Sequence, residues 1–75
     1  MKYGTLFFDT EPDRINVEWE DGSYGDGFHC GDVVEVRRPE DREFVQLRLE
    51  YDTIGDEWYF ADAGEIPYGT EIRAD

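Results

Sequence analysis

Seventy-five residues with a formal net charge of −13 make one small domain with a modest core, since a chain of this size buries only about 60% of its extended surface. The charge argues against direct binding to phosphate backbones or anionic membranes, which would repel it. A single Cys excludes an internal disulfide, and a small domain without staples points to a reducing cytoplasm.

Lys2 to Asp9, rich in Tyr, Thr and Phe, reads as the first strand. Thr10-Glu11-Pro12-Asp13 is a turn, with Pro fixing φ and Asp favouring the reversal. Arg14 to Glu20 alternates cleanly, with Ile15, Val17 and Trp19 on one face and Arg14, Asn16, Glu18 and Glu20 on the other. The two strands should form a hairpin. A loop from Asp21 to Asp32 holds Gly22, Gly25, Gly27 and Gly31.

A third strand runs to Arg38, with Val34 and Val36 on one face, and Pro39-Glu40-Asp41 turns the chain. Glu43 to Asp52 is the longest strand, with Val45, Leu47, Leu49 and Tyr51 inward and Gln46, Arg48 and Glu50 outward. After a turn at Gly55, Glu57 to Ala61 is a short aromatic strand. Asp62 to Tyr68 has room for one 3₁₀ turn, and Thr70 to Ala74 closes the chain. No stretch carries a helical apolar period free of Gly and Pro. There is no apolar run near the length of a membrane span and no signal peptide. Five or six short antiparallel strands joined by tight turns predict an all-β fold, a small SH3-like barrel over residues 1–75. Trp19 and Phe60 are expected in its core.

The charge is uneven. Residues 1–8 carry +1, residues 9–32 carry −7, residues 33–49 are neutral and residues 50–75 carry −7. Arginines of the central hairpin can pair with Glu35, Glu43 and Glu50. The unbalanced acids Glu11, Asp13, Glu18, Glu20, Asp21, Asp26, Asp56, Glu57, Asp62 and Glu65 are the candidate partner-binding residues. A shared face would give them a field able to steer a basic partner and imitate phosphate spacing, whereas opposite faces would leave the field diffuse and argue against mimicry. Trp19, Tyr24, Trp58, Tyr59 and Tyr68 are the candidates for an aromatic groove that takes a Pro-rich or basic peptide; the competing reading is core, and Tyr24 and Tyr68, beside Gly and Pro, are the better surface aromatics.

Chemistry-bearing motifs are weak. His29 and Cys30 are the chain's only His and Cys, whereas zinc needs three or four protein ligands. A Cys–His nucleophile lacks an orienting third group, and a free Cys is more often a small buried hydrophobe. Phe28 and Cys30 are therefore expected to be buried, with His29 fixing a backbone group. Neither Glu20 to Asp26 nor Asp9 to Asp13 has the spacing of a calcium loop. No pair among the many carboxylates stands out for acid–base work, so the expectation is a non-enzyme without metal or cofactor.

Lys2-Tyr3-Gly4-Thr5-Leu6, Phe28-His29-Cys30-Gly31-Asp32 with Glu35-Val36, and Asp56-Glu57-Trp58-Tyr59 resemble a small uncharacterised family of Gram-positive bacteria and their mobile elements. The resemblance spans most of the chain and implies a bacterial cytoplasmic accessory protein. Its mobile-element context implies an inhibitor of a defence nuclease. Charge and resemblance together suggest an acidic protein-binding module that covers the basic surface of a nucleic-acid-binding protein by mimicking nucleic acid. The alternative is an SH3-like peptide or subunit adaptor whose acidity is incidental. The sequence does not indicate an oligomeric state.

Overall fold

The computed structural model describes residues 1–75 and contains strands and turns but no helix. The strands are β1 (Lys2–Asp9), β2 (Arg14–Trp19), β3 (Val33–Arg37), β4 (Val45–Asp52), β5 (Glu57–Phe60), β6 (Gly64–Glu65) and β7 (Glu71–Ala74). They form one antiparallel sheet in the order β2-β1-β7-β3-β4-β5-β6. The seventh strand, beyond the expected five or six, is the two-residue β6. It pairs with β5 and stands where a 3₁₀ turn was expected.

The hydrogen-bonded ladder is open, with β2 and β6 at its ends. In a flat sheet β2 and β5 would lie roughly 24 Å apart, five strand spacings. Yet Leu6, Ile15 and Val17 from one end share a single core cluster with Val34, Val36, Leu49, Phe60 and Ile72. The sheet is therefore strongly curled around its apolar face.

The expected β1–β2 hairpin forms, with Phe8 opposite Ile15 and Gly4 opposite Trp19. Gly4 is required by close packing. A Cβ there would lie 2.5 Å from the Glu18 carbonyl oxygen and 2.8 Å from Val17 Cγ2. Phe60 is fully buried, as expected. Trp19 is only half-buried against the core, with the Lys2 ammonium 4.8 Å from its ring centroid. Alternation in β4 keeps the expected phase, but only Leu49 is fully buried, while Val45 at the strand's start is exposed.

The Gly-rich loop protects the outer edge of β2. Gly25 N–H donates to the Val17 carbonyl, Phe28 N–H to Ile15, and Trp19 N–H to Ser23. Buried Asn16 holds the loop down. Its Nδ2 donates to Asp9 Oδ2 and to the Gly25 carbonyl, and its Oδ1 accepts from the N–H groups of Val17 and Gly27. This polar group is buried at little cost because all of its hydrogen-bonding capacity is used.

The expectation for Phe28 to Asp32 needs correction. Phe28 packs against the core, but Cys30 and His29 are both exposed. The segment is a tight turn. Asp32 Oδ2 accepts the His29 N–H, Gly31 takes a φ of 91°, and Gly31 N–H donates to the Leu49 carbonyl. Backbone bonding, rather than the thiol, anchors it.

Candidate functional site

The arginines are largely committed to the middle of the sheet. Arg37 in β3 binds Glu71 in β7 at 2.9 Å, and Arg73 in β7 binds Glu35 in β3 at 3.0 Å. The guanidiniums of Arg37 and Arg73 lie 5.2 and 4.5 Å from the Phe44 ring centroid. Arg48 pairs with Glu50 along β4 at 2.8 Å. Arg38 meets Asp41 at 2.7 Å, the least exposed of these pairs, and reaches Glu40 at 3.8 Å. Glu43, an expected partner, forms no ion pair.

Electrostatics follow this geometry. The Arg38 guanidinium holds the Asp41 carboxyl below its ordinary 3.8, and Asp41 raises Arg38 in return. Glu35 raises Arg73. Asp21 is lowered by the Ser23 hydroxyl and backbone N–H, which both donate to its Oδ1.

None of the sequence-nominated acids belongs to an ion pair. Four have local work. Asp13, Asp56 and Asp62 take positive φ values of 58°, 56° and 65°, a left-handed geometry that short polar side chains tolerate best. Asp21 closes its turn through Ser23. Glu11, Glu18, Glu20, Asp26, Glu57 and Glu65 have no side-chain hydrogen bond or ion pair within the protein, which makes them the stronger candidates.

The structure does not gather these acids into a single patch. Glu18 and Glu20 line a hollow of about 300 Å³ with Tyr3, Trp19 and Glu71, towards the start of β1. Asp56, Glu57 and Glu65 line a larger groove of about 520 Å³ towards its end. That groove lies between the two ends of the curl. Leu6, Phe8 and Ile15 come from the β1–β2 hairpin; Trp58, Ile66 and Tyr68 come from the β5–β6 side. Both nominated aromatics are exposed. Tyr68 is fully solvent-accessible at the groove, and Tyr24 stacks edge-on against Phe7.

Sequence reasoning missed Phe8 as a groove residue. Phe8 alternates like a core residue but is 50% exposed. Trp58 Nε1 is the single buried side-chain nitrogen or oxygen of a non-exposed residue without a hydrogen-bond partner. No group of three or more His, Cys, Asp and Glu side chains is arranged to hold a metal ion, and no helix is long and apolar enough to cross a membrane.

Residues 4–74 match the family described as Domain of unknown function (DUF5348), and the chain belongs to that family. No curated protein and no solved structure matches it.

Proposed function

We propose that this DUF5348 member is a non-catalytic acidic module that binds a basic surface of another protein. The observation that carries the reading is the division of charge. Arginine–carboxylate pairs hold the central strands, while Glu11, Glu18, Glu20, Asp26, Glu57 and Glu65 lack an internal cation. Carboxylates without a partner in the fold keep their full attraction for an external one, and their summed field accelerates its approach. Their separation into one group around Glu18 and Glu20 and another around Glu57 and Glu65 argues against imitation of a continuous phosphate backbone, so the partner class is a basic protein surface, of which a nucleic-acid-binding protein or nuclease is one kind. The cytoplasmic setting and the Gram-positive mobile-element origin suggested by the Phe28 to Asp32 motif belong to the same proposal.

Affinity for a basic partner should fall steeply with salt, because exposed charges are screened within about 8–10 Å at physiological ionic strength. Reversing Glu18 and Glu20 to Lys should abolish binding and leave the fold intact, since neither side chain has a hydrogen bond or ion pair within the protein. An affinity constant between low and moderate salt would remove this reading.

The groove favours a second reading. Its two walls come from opposite ends of the sheet, which supports viewing the curl as an incompletely closed SH3-like barrel acting as a peptide or subunit adaptor. In that case Tyr68 or Trp58 substitutions would weaken binding more than charge reversal does.

A further inference from the structure

The two readings meet where apolar and acidic surface coincide. The groove's volume of about 520 Å³ falls within the roughly 300–1,000 Å³ of typical ligand sites. Leu6 and Ile15 are buried in its floor, Phe8 and Tyr68 are exposed at its edge, and Asp56, Glu57 and Glu65 supply acidic groups. Ile54, 97% exposed, stands two residues before Asp56. An exposed apolar surface beside unpaired carboxylates calls for an occupant with both characters.

Charge decides among occupants. A second copy brings another −13 and is repelled, as are nucleic acids and acidic peptides. A purely cationic segment leaves Phe8 and Tyr68 uncovered. An apolar one leaves the carboxylates partly desolvated without counter-charge, which costs binding energy. Backbone geometry adds a constraint. β6 is the last strand of the ladder and has no neighbour on its outer side, so an extended segment can pair there through its main chain. An extended chain alternates its side chains between two directions, one towards the groove and one towards the carboxylates.

We propose that this groove binds an extended segment of a basic partner protein in which apolar residues alternate with arginine or lysine. The inference rests on the basic-partner reading and gives it a location. Apolar side chains of the segment cover Phe8, Ile66 and Tyr68, and its cations meet Glu57 and Glu65. Trp58 lines the groove, and its Nε1–H has no acceptor in the protein.

The test is an NMR titration of the full chain at low salt with three short, end-capped peptides. The first alternates Arg with Leu, the second Arg with Ser, and the third Glu with Leu. The Arg-Leu peptide should shift the amide signals of Phe8, Glu57, Glu65 and Tyr68 and the Trp58 indole signal. It should bind at least about tenfold more tightly than either other peptide, and Tyr68→Ala should weaken it about tenfold. Tyr68 is fully exposed, so the variant should keep the parent spectrum elsewhere. Equal affinity for the Arg-Leu and Arg-Ser peptides, with shifts spread over Glu18, Glu20 and Asp26, would overturn the groove assignment while leaving the basic-partner reading intact. Preference for the Glu-Leu peptide would overturn both, and no shift with any peptide would overturn the groove assignment.

Discussion

The middle of the sheet and its two ends use charge in opposite ways. In β3, β4 and β7, carboxylates sit beside guanidiniums, as in Arg37–Glu71, Arg73–Glu35 and Arg48–Glu50. At the ends, in the β1–β2 hairpin with its loop and in β5–β6, Glu18, Glu20, Glu57 and Glu65 form no ion pair. A domain with only eight buried apolar side chains has little stability to spare. Leaving like charges unpaired at its ends therefore costs self-repulsion that the fold does not require. The contrast separates charge used to build the protein from charge left for something outside it.

The core joins the two regions, so removing it should have the largest effect. Phe60→Ala or Leu49→Ala deletes a fully buried side chain and should cost about 3–5 kcal/mol, enough to unfold much of the protein in a urea titration. Gly4→Ala forces a methyl against the Glu18 carbonyl and Val17 and should cost about 1–3 kcal/mol. If Gly4→Ala is neutral, the hairpin packs more loosely than described here.

Smaller effects bear on the charge contrast itself. Arg73→Ala removes a pair with Glu35 and the contact with Phe44. It should lower the melting temperature only slightly, because the pair is solvent-exposed and screened. Glu57→Gln and Glu65→Gln should change stability by less than about 0.5 kcal/mol, as expected for surface groups without partners. Lowering pH should act through Asp41 and Asp21. Both are held below 3.8 in the folded protein, so the stability they contribute is present above that value and is lost as pH falls through their lowered values. Asp41→Asn should flatten that acid limb in a thermal-unfolding series.

Much of the fold was legible because half-buried strands print a period of two. Ile15 and Val17 in β2, and Val34 and Val36 in β3, are buried in the phase their sequence predicts. β6 was not legible, since two residues carry no period and Gly64 enters it at a φ of 84°. Cys30 was misplaced because burial tendency is a weak guide inside a turn held by Gly31 and Asp32. The unpaired state of the nominated acids was readable from segment charge, because the arginines cluster between residues 37 and 48. The turn roles of Asp13, Asp56 and Asp62 were only partly signalled, by neighbouring Pro12 and Gly55 and by nearby Gly64. The groove was legible in part, since Trp58 and Tyr68 are among the candidate groove aromatics, but Phe8 joins them only through the curl of the sheet.

The most direct test compares thermal unfolding of two neutralised variants at low salt. One changes Glu11, Glu18, Glu20, Asp26, Glu57 and Glu65 to their amides; the other does the same to Glu35, Asp41 and Glu71. The end variant should melt at or above the temperature of the parent, because repulsion is relieved and no internal contact is lost, and the central variant should melt below it. An end variant that melts lower than the central one would show that those carboxylates hold the fold together and are not held free for a partner.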